Sequence, residues 1–544
     1  MIILFFFSSV LSHAQHLPVH PTHGVYNFLT ELANQRILDI STVAIPYGHN
    51  QVAEWLDDID VSELNERQLQ ELTFYKKEFF HRGPIKQSNA GTVPEMIKNG
   101  FMRAGPADRL DLYQHYDSLF TLVVNPIGGG DYYLNENGTA YHWWNGAEAS
   151  ATIGKWVIYG SLRDNHQSTW LTDPDRLNQN YGGANFKPTR DGPIDYWEYR
   201  GGVAYDFGIG NIGIYKDHFE WGNNYHGSNI FSGRTQSFAH VALNISPAKW
   251  LQFRWVHGWL VSHIIDSTRS FTYTNAYGTS FRPFYHKKFL AANLITFKPL
   301  SGLNISAGNS IVYDYDNPHL AYFIPLMFYK PVDHHLSSGI NNMNSQMFFD
   351  LSIRLIPRTH LYSTLFIDEL AVGRITDPDE YNFYSSKSGI RLENILPNTY
   401  AGFEYTITNA LTFRHFVPTT TFESNQYNLG HYLEDNAKEV YVYLGFRPAR
   451  AMKIQLSYAS AMKGPDHDYL GTQPRSGIEP FTETVWQRDQ FSAQFSFEVF
   501  NGGYFRLGYT FSNVRGEDFY LERYTPEFRH GKVNEFNFGV NYGF

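Results

Sequence analysis

The hydrophobic pattern of the chain changes its period once. Between residues 25 and 82 the apolar positions recur at helical spacing: Val25, Phe28, Leu29, Leu32 and Ala33 fall on one face, and Val52, Trp55 and Leu56 open a second helix. Asp60, with Glu63 three residues on, makes a D-x-x-E capping box, and Leu69, Leu72, Tyr75 and Phe79 continue an apolar stripe along a third helix. Three short helices joined by Pro46 and Asp-rich turns predict a small bundle.

From about residue 115 the period becomes 2. Phe491, Ala493, Phe495, Phe497 and Val499 alternate with polar residues, an Asn501-Gly502-Gly503 turn follows, and Phe505, Leu507, Tyr509 and Phe511 alternate again. A second hairpin runs through Val440, Val442, Leu444 and Phe446 into Met452, Ile454, Leu456 and Tyr458, and similar pieces recur at Val203–Ile209 and Leu303–Ala307. The connections after Phe446 and Val499 are tight, whereas those from about Ser460 to Gln487 and from Ser512 to Lys532 are long and polar. Short turns at one end and long loops at the other are the pattern of a transmembrane β-barrel, and about 430 residues at about 24 per strand and connection predict about 18 antiparallel strands. The last stretch, "NEFNFGVNYGF", alternates to the end, with Phe536, Phe538, Val540, Tyr542 and Phe544 on one face. Such a strand is expected to close the barrel, with even residues toward lipid, odd ones toward the lumen, and Tyr542 and Phe544 as the signal to barrel-insertion machinery.

Composition narrows the class. Aromatics are 17% of residues, with 38 Tyr and 43 Phe, yet mean hydropathy is -0.37, too polar for a bundle of membrane helices. A large soluble β protein and an outer-membrane barrel with aromatic girdles both fit that composition, and it is the sorting of the loops that favours the barrel. A net charge of -10 argues against a nucleic-acid partner, and the absence of cysteine excludes thiolate metal sites and a lipidated cysteine anchor. Residues 2–11 form a short apolar run ending in Ser12, His13 and Ala14, a small-x-small pattern that predicts an export leader over 1–14 although no Lys or Arg precedes it. The expected organisation is leader 1–14, tail 15–24, periplasmic helical bundle 25–82, linker 83–114 and barrel 115–544.

The middle of the chain carries a family resemblance. "FEWGNNYHGSNIFSGRTQSFAHVALNISPAKWLQFRWVHGWLVS" (219–262) is similar to the central segment of Wzi-type capsule-assembly proteins, in which a W-G pair precedes a serine and a run of strands. "YFIPLMFY" (322–329), "NNMNSQMFFDLSIRLIP" (341–357) and "LYSTLFIDEL" (361–370) resemble, in order, further segments of that family, and the helical region joins the match, as in the Bacteroidetes and gliding-motility RemB-like forms. The resemblance implies an outer-membrane barrel whose helical bundle packs at the periplasmic mouth. It further implies a lectin-like, non-catalytic role in holding surface polysaccharide, with outer-membrane lipid and that polysaccharide as partners and no cofactor.

A sugar site needs flat aromatic faces beside amides and carboxylates. "YHWWNG" places Trp143 and Trp144 beside Asn145 in an expected loop, although an interfacial girdle explains the same residues. Trp221, Asn223, Asn224 and Tyr225 form a second candidate around Gly222, for which a structural turn is the competing account. Pro325, Asp350, Asp368 and Glu369 are expected as lumen or structural positions, the acids pairing with Arg354 or Arg374 rather than acting as a hydrolytic pair. His13, His16, His20 and His23, and the Asp333-His334-His335 group, lack an ordered third ligand, so no metal site is predicted. His431 and His467 are not selected for catalysis by any spacing. A gliding or adhesion accessory and a diffusion porin remain alternatives, the helical bundle favouring a plugged barrel over an open one.

Overall fold

The computed structural model describes residues 17–40, 42–80, 101–104, 110–116, 120–171, 177, 194–338, 340, 342–377, 379–469 and 478–543. The leader expected over 1–14, with His13 and His16, and the terminal Phe544 lie outside the described residues.

The helices are α1 (Val25–Asn34), α2 (His49–Asp57) and α3 (Glu66–Phe80). Val25, Phe28, Leu29, Leu32, Ala33, Val52, Leu56, Leu72, Tyr75 and Phe79 close into one apolar core, which is why these spacings appear in the sequence. Two readings of the third helix need correction. Asp60 caps only a short 3-10 turn, accepting from the Ser62 amide, whereas the box that starts α3 is Asn65 with Gln68: Gln68 N donates to Asn65 Oδ1 at 2.9 Å and Asn65 N to Gln68 Oε1 at 3.0 Å. Leu69, placed on the stripe, is 45% exposed, because the buried face turns through Leu72 instead. None of the described helices is long and apolar enough to cross a membrane.

The barrel is closed and antiparallel, with 18 strands. They are β1 (Phe120–Asn135), β2 (Gly138–Ile153), β3 (Trp156–Gln167), β4 (Ile194–Asp206), β5 (Gly210–Asp217) and β6 (Phe238–Ala248). Next come β7 (Leu251–Leu260), β8 (Lys288–Leu300), β9 (Leu303–Tyr313), β10 (Asn344–Ile353), β11 (Thr359–Glu369) and β12 (Phe383–Glu393). The circle is completed by β13 (Thr399–Thr408), β14 (Ala437–Ala449), β15 (Met452–Lys463), β16 (Trp486–Phe500), β17 (Gly503–Gly516) and β18 (Gly531–Tyr542). Closure pairs β18 with β1, from Phe536 opposite Leu134 to Tyr542 opposite Gly128. Below that point the strand Leu110–Tyr116 takes over the same edge of β1, from Tyr113 opposite Val124 to Tyr116 opposite Thr121, so the approach to the barrel extends the line of its last strand.

The alternation resolves as expected for a barrel in lipid. Phe536, Phe538 and Val540 are half-exposed on the outer wall, as are Val442, Leu444, Phe446, Leu456 and Leu507, while Glu535 is buried on the inside. Trp156, Trp250 and Phe500 are exposed near the short-turn end, and Tyr141, Trp143, Trp197 and Tyr199 nearer the long-loop end, which marks the two borders of the apolar band.

One sector departs from alternation. In β8, "KFLAANLITFKPL", both faces of the first half are buried and, apart from Lys288 and Asn293, apolar. Leu290, Ala292 and Leu294 face the lumen core, and Phe289 and Ala291 face a second cluster with Ile311, Tyr313, Tyr322 and Tyr329 on the outside. The outer cover is the connection between β9 and β10, which runs back over the wall as a strap holding α4 (Tyr329–Leu336). Polar residues that would otherwise face lipid are satisfied by it. Asn293 Nδ2 donates to the Pro325 and Met327 carbonyls at 3.0 and 2.7 Å, Trp255 Nε1 donates to Tyr329 Oη at 3.1 Å, and His257 stacks on Phe323 at 4.0 Å. Leu320 and Leu326 point away from the wall, 81% and 70% exposed. Pro325, expected as a lumen or structural position, therefore lies on the outer face: its motif belongs to the strap.

Candidate functional site

The lumen is filled from both ends. From the short-turn end, the bundle docks through buried charges: Arg447 on β14 reaches Glu31 at 2.8 Å and also Glu71, while Arg67 of α3 reaches Glu31 at 2.5 Å and also Glu71. Burial by itself raises the Glu31 carboxyl, but the two guanidiniums outweigh it and hold its pKa below the ordinary carboxylate range. Lys298 and Asp39 pair at 2.7 Å, Arg36 Nη1 donates to the Leu355 carbonyl at 3.0 Å, and Arg354 Nε donates to Asn34 Oδ1 at 2.7 Å, so several short turns grip the bundle.

From the long-loop end, the connection between β5 and β6 (218–237) turns inward. Its strand Glu220–Trp221 pairs antiparallel with Ala44–Ile45, and the Gly222 amide donates to the Val43 carbonyl at 3.0 Å. Two chain segments thus meet inside the barrel. Gly222 has φ +103°, where a Cβ would stand 2.9 Å from Ser228 Oγ. That hydroxyl donates to the Trp221 carbonyl at 2.5 Å and accepts from the Ile230 amide at 3.1 Å. The W-G pair and the serine after it are parts of one turn.

The residues expected to hold sugar here lie in the plug, where their polar groups have partners within the chain. Trp221 is 4% exposed and packs edge-on against Phe231 and Phe348. Asn223 donates from its backbone and side chain to Asp350, at 2.8 and 2.6 Å; Asn224 donates to Glu220 at 2.6 Å; the Tyr225 amide donates to Glu404 at 2.7 Å, and its phenol bonds His360 Nδ1 at 2.8 Å. Asp350 faces the lumen as expected, but its partner is Asn223 and not Arg354, which has turned to Asn34 and Ser352. Glu369 pairs with Arg374 at 3.0 Å as expected, and Asp368 accepts from Gln346 at 3.4 Å.

"YHWWNG" is not a loop: it lies within β2. Trp144 points inward under Arg163, whose guanidinium carbon is 4.1 Å from the ring centroid, while Trp143 and Asn145 point outward. Trp143 is 43% exposed and stacks on His166 at 3.8 Å. Dense aromatics hide a period of 2 because Tyr, His and Trp suit either face of a barrel wall, so strand and loop look alike in this stretch.

Sequence reasoning missed the opposite wall of the plug. Tyr400 and Gly445 are cross-strand partners, as are Gly402 and Tyr443; a Cβ on either glycine would overlap the facing ring, so both rings lie flat along the wall. Arg391 stands over Tyr400 at 4.3 Å and Tyr225 at 4.6 Å, paired with Glu393 at 2.6 Å. The signal was present as glycines facing tyrosines across β13 and β14, legible only once the register is known. Among the described residues no group of three or more His, Asp or Glu is placed to hold a metal ion.

An open space lies beside the plug. A cavity of about 210 Å³ lies between the α2 region and the inner wall of β4 to β7, with Trp221 and Phe219 at its inner end and Gly208, Ile209 and Glu54 at its mouth.

No protein-family model matches the chain, and no curated protein does. Among solved structures it matches Wzi, an outer membrane protein involved in group 1 capsule assembly in Escherichia coli and a carbohydrate-binding β-barrel. The TM-score is 0.57 at 10% identity, over 95% of this chain and 97% of that one. The chain has the fold of Wzi. Coverage this wide takes in most of the helical bundle as well as the barrel. OccD3 (OpdP) of Pseudomonas aeruginosa and OccAB2 of Acinetobacter baumannii also match, both at TM-score 0.42, with 12% and 9% identity, over 78% and 77% of this chain and 90% and 97% of theirs.

Proposed function

We propose that the protein is a non-catalytic outer-membrane barrel of the Wzi type that attaches or organises polysaccharide at the cell surface. In this reading the helical bundle is on the periplasmic side and the long loops are outside. The observation that carries it is the lumen filled from both ends, by the bundle docked on Arg447 and the inward loop locked at Trp221–Tyr225, within a fold shared with a carbohydrate-binding barrel. A diffusion porin needs a continuous aqueous path, and the apolar core around Trp221, Phe231, Phe348 and Phe422 argues against one. Carbohydrate contact then falls to surfaces other than Asn223, Asn224 and Tyr225, whose role in this reading is to hold the plug.

Deleting the gene tests this. Less cell-bound polysaccharide with more released into the medium is expected; unchanged retention would refute the reading. A gliding or adhesion accessory of RemB type has the same barrel, and colony spreading by the same deletion strain separates it.

A further inference from the structure

The cavity at the short-turn end has a specific chemistry. One register row of the inner wall runs Asp206, Asn211, Asn244, Arg254 across β4 to β7, each residue opposite the next. The row above it is Ala204, Gly213, Ala242 and Val256, of which Ala242 and Val256 border the space while the Tyr215 ring covers Gly213.

Arg254 lines this space. Its Nη1 donates to Asn244 Oδ1 at 2.9 Å, and among the described residues no carboxylate comes within 4.0 Å of it. Asn244 is itself fixed, donating to Asn211 Oδ1 at 3.0 Å, which also accepts from Tyr215 Oη at 3.3 Å. Three carboxylates line the cavity: Asp217 accepts from Tyr159 Oη at 2.6 Å and the His218 amide at 2.8 Å, with Arg200 at 3.7 Å, Asp206 Oδ1 accepts from the Gly208 amide at 2.6 Å, and Glu54 is exposed to solvent. A guanidinium has five donors in a planar fork suited to a carboxylate, and removed from bulk water it favours an anionic partner.

Beside it is a flat aromatic face. Tyr215 lies over Gly202 and Gly213, where added Cβ atoms would come to 2.5 and 2.7 Å of its ring, with His240 stacked beside it at 5.6 Å. Tyr47, on the bundle side, is clamped between Tyr26 and Trp55, both at 4.9 Å, and burial pushes its phenol up to about 12, so it remains a neutral hydroxyl.

We propose that this cavity binds an acidic sugar, a hexuronate residue of a polysaccharide, with its carboxylate on Arg254 and its ring against Tyr215. The assignment deepens the reading above and rests on it for the ligand class. It places a saccharide contact in a cavity that Phe219 and Trp221 of the inward loop border, apart from Asn223, Asn224 and Tyr225.

Calorimetry on the purified full-length barrel in detergent tests it, with glucuronate and galacturonate, their neutral parents glucose and galactose, and inorganic phosphate as probes. A uronate is expected to bind at least tenfold more tightly than its neutral parent. Arg254→Gln is expected to remove that preference, and Asn244→Asp, which supplies an internal counter-ion, to do the same while keeping the guanidinium. Retention of the heat-modifiable electrophoretic shift reports that each variant is folded, and if Arg254→Gln fails to fold, Asn244→Asp carries the test. No uronate binding, unchanged binding in the folded variants, or phosphate binding as tightly as uronate would overturn the proposal. Uronate binding by a protein whose deletion leaves surface polysaccharide unchanged would sink the cellular role and leave the site standing.

Discussion

Asn34, the last residue of the first helix, donates its side-chain amide to the phenol oxygen of Tyr225 at 3.3 Å, across 191 positions of sequence. The contact joins the segment that enters the barrel from the short-turn end to the loop that enters from the other. Asn34 also donates to Glu393 at 3.0 Å, so the junction is anchored to the wall.

Removing this junction is expected to loosen the plug before the barrel. Tyr225→Phe leaves His360 Nδ1 and Asn34 Nδ2 without the phenol and should cost about 1–3 kcal/mol. In planar bilayers the wild type is expected to conduct little, and Tyr225→Ala to produce transient openings. A stable open conductance in the wild type would contradict a plugged lumen.

Gly222→Ala places a Cβ at φ +103° and against Ser228 Oγ. Strain of this kind costs about 1–3 kcal/mol. Hydrogen exchange should rise in 219–231 while the amides of β14 to β17 stay protected.

Acid should loosen the Glu31 contact of the bundle, opposed by Glu71 on the same two guanidiniums, whose carboxyl pKa is raised by burial. The folded pKa of Glu31 is depressed, by Arg447 and Arg67 against the opposing effect of burial. Its stabilising contribution is therefore complete above the unfolded carboxylate value, about 4.3, and is lost as pH falls through the lower folded value. Proteolysis of residues 25–80 is expected to accelerate below about pH 4 while the barrel remains resistant. Glu31→Gln should flatten that dependence.

The outer strap is held by Asn293 together with Asn309. Asn293→Leu leaves the Pro325 carbonyl without this donor beside lipid and the Met327 carbonyl with Asn309 Nδ2 at 3.1 Å, a loss of about 1–3 kcal/mol. Faster cleavage within 320–336, with the electrophoretic shift of the barrel unchanged, is the expected result.

Adjacent tryptophans should behave differently. Trp144→Ala opens a hole beneath Arg163 and should destabilise by about 3–5 kcal/mol, whereas Trp143→Ala removes an outward ring and should cost far less. Thermal loss of the electrophoretic shift distinguishes them.

The sequence by itself determined the period, and with it most of the architecture. Helical spacing around Phe28 and Leu72, alternation in Phe536–Val540 and the sorting of short and long connections are local properties, and each survives in the fold because one face of each element meets a core or lipid. β8 also carried a signal, since a strand apolar on both faces is covered on both sides, although the cover could not be named. What the tertiary structure alone decided was the direction in which the long connections turn. Loop 218–237 goes inward and the strap goes outward, because backbone hydrogen bonds to Val43 and carbonyl contacts with Asn293 fix them, and those partners are distant in sequence. The role of Trp221 followed from that choice: an aromatic in a polar stretch has the composition of a sugar contact, but burial against Phe231 and Phe348 makes it part of a core. Likewise Arg254, unremarkable in the sequence, borders a cavity with Asn244 and Ala242 because of how β6 and β7 pair, a register set by pairing and not by composition.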